Sequence, residues 1–242
     1  RMPKNDKDRI RALDDALEIE TTHQTEKLAF SKQTLYHLKN IKTTFENQLR
    51  HYEIDQEKEN DNVSTYRFAM EKARLYVSHF IQMVFMSIER EEMKEENLAF
   101  YSLNTSSMKV PSLASEEEIL TWGWKIVEGE QKRMQKGGSP FYNPSIALVK
   151  VKLEDFKDAA VFQQNLKRNV LRSYEKMQKV RKETNDFISE LWNEIEQKLE
   201  HESPKLKRQF AEEYGVVYVF RRNEKKKLQS EGLQVDLLFE FN

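Results

Sequence analysis

Histidine is the residue type in this chain that could most readily bind a transition metal, and the chain has five of them. A di-iron site in a helical bundle needs Glu-x-x-His pairs from two helices, which this sequence does not supply, and the zinc-protease pattern His-Glu-x-x-His does not occur. No two histidines are four residues apart: they are His23, His37, His51, His79 and His201. We therefore expect no metal. His79 lies in an apolar segment, where we expect a hydrogen-bonded core histidine.

Glycines that precede a helix are a second pattern with chemical meaning, because such loops bind phosphates. Gly137-Gly138 is followed by Ser139-Pro140 rather than by Lys-Ser or Lys-Thr, and no Gly-x-Gly-x-x-Gly occurs. These departures exclude a P-loop or a dinucleotide-binding fold. We expect a tight turn between two helices at this point, and no cofactor.

A cluster of aromatic residues provides the best candidate for a ligand site: Trp122, Trp124, Phe141 and Tyr142, with Glu128 nearby in sequence. Aromatic side chains with a few charged groups are typical of small-molecule pockets. The same residues are also typical of a helix end that is pinned to a bundle, and we favour that interpretation. Acidic pairs arise by chance in a chain with 41 acidic residues, so none is assigned as a general acid and base.

The overall composition limits the partners and the compartment to be expected. The chain has 40 basic and 41 acidic residues, and this balance argues against a dedicated nucleic-acid or anionic-membrane binder. It contains no cysteine, which excludes disulfides and thiolate chemistry and suits a cytoplasmic location. The most apolar segment, residues 75–88, is too short and too polar to span a bilayer.

The longest helical pattern lies between residues 143 and 204. Asn143-Pro144-Ser145 is typical of a helix start, with Asn143 as the N-cap. Large residues then recur at alternating steps of three and four, apolar at most positions and polar in the middle, which predicts one face of a long helix. A break near Thr184-Asn185-Asp186, which would give two shorter helices, is the alternative.

A second pattern of this kind begins at Ser31, which fits an N-cap, with Phe30 and Leu35 spaced as a hydrophobic staple. The pattern thins out over residues 53–62 and then resumes in the same phase. Either the thin patch is the solvated middle of one long helix, or Asn60-Asp61-Asn62 forms a turn between two helices.

The predicted fold is mainly α: an elongated antiparallel bundle of long helices, either of four-helix up-and-down type or built from a pair of very long helices. We expect one domain with an N-terminal helical arm, a first long segment, a loop with a short helix, a second long segment, and a short helix with a small β-hairpin. These parts cover residues 1–27, 28–103, 104–143, 144–203 and 204–242. The hairpin strands are predicted at residues 216–220 and 233–241, which are β-branched, aromatic or alternating in polarity.

Two further patterns concern repetition and self-association. Leu49-Arg50-His51-Tyr52-Glu53 resembles Leu171-Arg172-Ser173-Tyr174-Glu175, which fits either an internal duplication or a chance match. Residues 76–88 are apolar almost all round their helix, so they need several neighbours. Either the fold or a second copy of the chain supplies them.

Four passages are distinctive in their mixture of proline, glycine, tryptophan and acidic residues: 110–113, 116–123, 126–130 and 138–144. In these passages the chain resembles a family of uncharacterised bacterial all-helical proteins, over residues 3–222. The resemblance implies a helical fold. It carries over no catalytic residue, cofactor or partner.

The leading functional hypothesis is a non-enzymatic helical interaction or scaffold protein, because long amphipathic helices are combined with no recognisable catalytic constellation. The second hypothesis is a small-molecule binder or an enzyme that uses a pocket in the Trp122–Tyr142 region. The third is a nucleic-acid-binding accessory protein that uses the basic segments 1–11 and 221–227.

Overall fold

The computed structural model describes residues 2–22, 28–104 and 108–218, without the side chain of Thr22. Within these ranges the chain is mainly helical, as predicted. The helices are α1 (Asp6–Thr22), α2 (Lys32–Glu89), a 3₁₀ helix (Glu95–Tyr101), α3 (Glu116–Gln135), α4 (Ile146–Lys198) and α5 (Pro204–Glu213). None of the helices in the described ranges is both long and apolar enough to cross a membrane.

Helix α2 is a single helix of 58 residues, so the alternative with a turn at residues 60–62 is wrong. Ser31 is its N-cap, because the Ser31 hydroxyl accepts a hydrogen bond from the Thr34 amide at 3.1 Å. Inside the thin patch, Nδ2 of Asn62 donates to Oε1 of Gln163 on α4 at 2.7 Å. The polar patch therefore meets a polar partner on another helix instead of ending α2.

Helix α4 is also a single helix, of 53 residues, so the alternative break near Thr184-Asn185-Asp186 is wrong. Asn185, which could have begun a turn, accepts a hydrogen bond on Oδ1 from Nε of Arg9 in α1 at 2.9 Å. Thr184 is fully buried within the helix. The polar residues that suggested a helix break are thus involved in contacts with the rest of the fold, and the helix continues through them.

The start of α4 differs from the prediction that Asn143 is its N-cap. The first helical residue is Ile146, and the Ser145 hydroxyl accepts a hydrogen bond from the Leu148 amide at 3.3 Å. Asn143 is exposed. The serine is the residue next to the first helical turn, so it caps the free amides there.

The short helices α3 and α5 begin and end where their sequence signals indicate. Ser115 and Glu118 form a capping box at the start of α3. Ser203 caps the N-terminus of α5. Gly215 follows its C-terminus with a φ of 77°, a conformation that glycine adopts without strain. The 3₁₀ helix has no counterpart among the predicted elements.

The predicted β-hairpin lies largely outside the described residues. Of its first strand only residues 216–218 are described, and they form no strand. The remainder of that strand and the whole of the second strand, residues 233–241, are not described. The hairpin therefore stays a prediction.

The chain divides into two compact units, and the first consists of Arg1–Tyr52 and Ser173–Asn242. In this unit α2 and α4 run antiparallel, because the ring of His37 contacts that of Phe187 and the ring of Tyr52 contacts that of Tyr174. The core of unit 1 also includes α1 and α5, and Trp192 is its largest fully buried side chain. Main core residues are Leu13, Ala16, Leu38, Ile188, Leu191, Trp192, Ile195 and Ala211.

The second unit is Glu53–Arg172. Its parts of α2 and α4 are again antiparallel, since Asn62 bonds to Gln163 while Tyr66 lies 6.2 Å from Phe156, ring centroid to ring centroid. The 3₁₀ helix and α3 complete this core. Its fully buried side chains include Val77, Phe80, Ile81, Val84, Leu98, Tyr101, Ile119, Ile126, Val149, Leu153 and Phe156.

The all-round apolar segment, residues 76–88, finds most of its neighbours within unit 2. Six of its apolar side chains are buried there: Val77, Phe80, Ile81, Val84, Phe85 and Ile88. The opposite face of this helical segment carries His79, Gln82 and Met86, which are exposed. The expectation that His79 is a core residue is therefore wrong, because the histidine lies on the face turned away from the core.

The tyrosines of the two matched pentapeptides are in contact in unit 1. The ring centroids of Tyr52 and Tyr174, which occupy corresponding positions in the two copies, are 5.8 Å apart. Such a contact suits both a duplication and a chance match, so the repeat stays a prediction.

Two phenylalanines of α4 provide a test of which side of this helix stabilises unit 2. Phe156 is fully buried, whereas Phe162 is 54% exposed. We expect Phe156→Ala to lower the free energy of unfolding by about 3–5 kcal/mol, since it leaves a cavity. Phe162→Ala is the matched control and should change it by less than about 0.5 kcal/mol. Urea denaturation followed by circular dichroism measures both, and equal losses would contradict the assignment.

Candidate functional site

The two tryptophans of the predicted ligand site serve the packing of unit 2. Trp122 and Trp124 are half-buried on α3 and pack against the core of that unit. Nζ of Lys125 lies 4.5 Å from the centre of the Trp122 ring, which is a cation–π distance. A face of this indole is thus already in contact with a side chain of its own helix.

Phe141 and Tyr142 are neighbours in sequence that have different environments. Phe141 packs edge-on against Phe80 with ring centroids 5.5 Å apart, and the guanidinium of Arg133 lies 4.8 Å from its ring centre. Tyr142 is 86% exposed. Glu128 is exposed too, and its carboxylate lies 4.0 Å from the ammonium of Lys132. Of the five predicted site residues, Phe141 alone contacts a buried charged group in a described contact.

That charged group belongs to a buried cluster of three polar side chains, Tyr101, Glu130 and Arg133. Arg133 binds the Glu130 carboxylate with two hydrogen bonds, from Nε at 2.8 Å and from Nη2 at 2.7 Å. The Tyr101 hydroxyl donates to Oε2 of Glu130 and accepts from Nε of Arg133 at 2.8 Å. Glu130 and Tyr101 are fully buried and Arg133 is 7% exposed.

Burial and hydrogen bonding fix the protonation of this cluster. Desolvation, together with the hydrogen bond to Glu130, raises the pKa of the Tyr101 hydroxyl well above its ordinary value. The hydrogen bond to Glu130 is also the main reason why the pKa of Arg133 is raised. The phenol therefore stays neutral and the guanidinium charged at physiological pH, so neither is poised to transfer a proton.

The cluster holds the predicted turn after α3. Nη2 of Arg133 donates to the carbonyl oxygen of Ser139 at 2.6 Å. Gly137 has a φ of 90°, and a Cβ at Gly138 would lie 2.5 Å from Nη1 of Arg133, so both glycines are needed here. The expectation of a tight turn is confirmed, and one of its two glycines, Gly138, lies against Arg133.

Removing one member of the cluster tests whether it stabilises unit 2. We expect Glu130→Ala to lower the free energy of unfolding by about 3–5 kcal/mol, because Arg133 would be left buried without its counter-charge. Glu128→Ala is the control on the same helix: its ion pair is exposed, so the loss should stay below about 1 kcal/mol. Urea denaturation measures both. A loss at Glu130 no larger than at Glu128 would contradict the structural role.

Among the described residues, no group of three or more histidine, aspartate or glutamate side chains could hold a metal ion. His37, His51, His79 and His201 are all exposed, and His23 lies outside the described residues.

Unit 1 has an open groove of about 470 Å³, which has more of the properties of a binding surface than the predicted ligand site in unit 2. It lies between the first two turns of α2 and the later half of α4. Its lining includes three aromatic rings, two amides and two carboxylates: Tyr36, His37, Phe187, Gln33, Asn40, Glu190 and Glu194. The rings of His37 and Phe187 are in contact, with centroids 4.6 Å apart, and Tyr36 is 71% exposed.

One carboxylate of the groove also caps α2. Oε1 of Glu194 accepts a hydrogen bond from the Ser31 amide at 2.7 Å, and Oε2 accepts from the Thr34 hydroxyl at 2.6 Å. This carboxylate satisfies groups at a helix N-terminus, where negative charge is favourable. Glu190 is exposed one turn earlier on α4. The groove thus has a fixed and a freely solvated carboxylate.

The charge of the groove is negative. Neither lysine nor arginine occurs among the described residues that line it. The part of α4 that forms one wall continues this trend, because residues 183–202 contain one lysine, Lys198, and no arginine. Their carboxylates are Glu183, Asp186, Glu190, Glu194, Glu196, Glu200 and Glu202. An acidic surface of this kind attracts cations.

Comparisons with known proteins add no relative: no family model, no curated protein and no solved structure matches the chain. The resemblance to an uncharacterised bacterial family therefore stays a prediction. Functional conclusions rest on the geometry of the two units.

Neither the buried cluster nor the groove was predicted from the sequence. The cluster, however, has a recognisable sequence pattern. Glu130 and Arg133 continue the three-four spacing of Ile119, Ile126 and Val127, which are buried on α3. Opposite charges at adjacent positions of an apolar stripe indicate a buried ion pair. The groove had no comparable signal, because it depends on which residues of α4 lie beside the start of α2.

Proposed function

We propose that this protein is a non-enzymatic helical interaction protein, and that the groove of unit 1 binds a lysine- or arginine-bearing segment of a protein partner. The observation that supports this proposal is an open groove that combines aromatic rings with carboxylates. Within the described part of the chain, no lysine or arginine lines it. Rings and carboxylates together suit a cationic side chain, which a ring face attracts and a carboxylate pairs with.

The shape of the groove supports a polypeptide occupant over a small molecule. Small-molecule sites enclose most of their ligand. This groove is open and is bordered by two antiparallel helix segments, an arrangement into which a further helix or an extended segment can lie. Tyr36 is the exposed aromatic anchor of the groove, and Tyr, with Trp and Arg, is among the residue types that contribute most to binding at protein interfaces.

The buried charges of the described residues support a non-enzymatic role. Each charged side chain that is buried is paired: Glu130 with Arg133, and Arg9 with Asp6 and Asn185. Paired groups of this kind stabilise the fold and leave no activated nucleophile or base. A cytoplasmic location and an elongated bundle are part of the same proposal.

The test uses a fluorescein-labelled amphipathic helical peptide with lysine and leucine on opposite faces, and fluorescence anisotropy at low salt. We expect binding, and we expect Glu190→Gln and Tyr36→Ala each to weaken it by about two- to fivefold, since both side chains are exposed. Raised salt should weaken binding further, because exposed charges are screened.

Matched controls separate the groove from the general charge of the chain. Glu183→Gln removes a charge from the same helix outside the groove, and Tyr142→Ala removes a tyrosine in unit 2 that is more exposed than Tyr36. Both controls should bind the peptide like the unmodified protein. Equal binding of a peptide with glutamate in place of lysine, or equal effects of controls and groove variants, would reject the proposal.

A further inference from the structure

The part of α4 that belongs to unit 1 carries a charged stripe on an exposed face. Because a helix has 3.6 residues per turn, steps of three, four and three residues keep four side chains within an arc of about 80°. Met177 and Thr184, on another side of the helix, are fully buried, so the stripe faces away from the core. Its four exposed members are Lys176, Lys179, Glu183 and Asp186.

The two signs of charge are segregated along this charged stripe. Two cations come first and two anions follow, with the change of sign between Lys179 and Glu183. Elsewhere on the same helix a lysine pairs with a glutamate one turn later, as Lys150 does with Glu154 at 3.8 Å. Within the described residues, none of the four charges of the stripe takes part in an ion pair or a side-chain hydrogen bond. The stripe is therefore available to a partner.

The order of charges is complementary to its own reverse. When two identical helices lie antiparallel, with a two-fold axis midway between Lys179 and Glu183, each of these residues faces the other in the second copy. The same axis brings Lys176 opposite Asp186, and two-fold symmetry forms each pair twice. A parallel arrangement would instead place like charges side by side, which is unfavourable. Only the antiparallel arrangement matches all four charges.

We propose that two copies of this chain associate along the charged stripe, with their α4 helices antiparallel. The ammonium groups of Lys176 and Lys179 of one copy bind the carboxylates of Asp186 and Glu183 of the other. Charge complementarity selects a second copy as the occupant, because a partner with charge of one sign would satisfy only half of the stripe. The ion pairs lie at the surface, so the dimer is weak and sensitive to salt.

Sedimentation velocity of the full chain over a range of concentrations tests this dimer. At low salt we expect a monomer–dimer equilibrium, which should shift to the monomer at about 1 M salt, where charges are screened beyond about 3 Å. Lys176→Glu with Lys179→Glu makes the whole stripe acidic. It should weaken the association by at least about tenfold, because like charges then face each other. Lys157→Glu with Lys167→Glu, at exposed positions of α4 outside the stripe, is the control and should keep the dimer.

A mixing experiment separates a lost contact from a damaged fold. Glu183→Lys with Asp186→Lys makes the whole stripe basic, so this variant should also fail to self-associate. An equimolar mixture of the acidic-stripe and basic-stripe variants should form a dimer again, since each facing pair then joins opposite charges. A mixture that stays monomeric would overturn the proposal. Unmodified protein that is monomeric at low salt, or an equal loss of dimer in the control, would overturn it too.

The dimer and the binding of a peptide in the groove can fail separately. None of the four residues of the charged stripe lines the groove. Tyr36→Ala, which should weaken peptide binding, should therefore dimerise like the unmodified protein. Loss of the dimer in this variant would overturn the assignment of the contact to the charged stripe.

Discussion

The structure depends on matching polar residues across α2 and α4 at positions where an apolar stripe is interrupted. In unit 2, Gln163 is 3% exposed, and its amide accepts from Asn62 and donates to Oε1 of Glu59 at 2.6 Å. A buried amide without partners would cost the desolvation of its polar groups, and here both ends of the amide are satisfied. Both helices can therefore continue through residues that often end a helix.

The same constraint acts in unit 1, where it involves charges. The carboxylate of Asp6 accepts hydrogen bonds from Arg181 on α4, from Nε at 2.9 Å and from Nη2 at 2.6 Å, and from Nη1 of Arg9 at 3.1 Å. The hydrogen bond to Asp6 is the main reason why the pKa of Arg181 is raised. Arg181 lies on the face of α4 that carries the large apolar residues. Asp6 of α1 supplies the negative charge that pairs with it.

Local signals in the sequence predicted the parts of the fold that local chemistry determines. Ser31 caps α2 as predicted, and Ser115 and Ser203 cap α3 and α5 in the same way, because a cap bonds to amides within its own first turn. The sequence left an alternative to the continuity of each long helix, since Asn62 and Asn185 have partners that are distant in sequence. The Asn143 cap failed because the first helical turn begins two residues later than its proline suggested.

The candidate site was less predictable, because binding surfaces combine residues from different helices. Trp122 and Phe141 were named from their residue types, and they contact their own unit as the pinning interpretation expects. The groove joins Tyr36 and His37 to Glu190 and Glu194, which lie far apart in the chain and look like ordinary solvated residues of two amphipathic helices. Only the pairing of the helices gives them a common surface.

Backbone amide hydrogen exchange over residues 59–63 tests the central claim most directly, because this polar patch is where α2 either continues or turns. A continuous helix bonded to Gln163 predicts that these amides exchange as slowly as those of the flanking turns of α2 in the native protein. Exchange at the rate of an exposed turn, with protection restored on either side, would contradict the claim that paired polar residues carry the helix through.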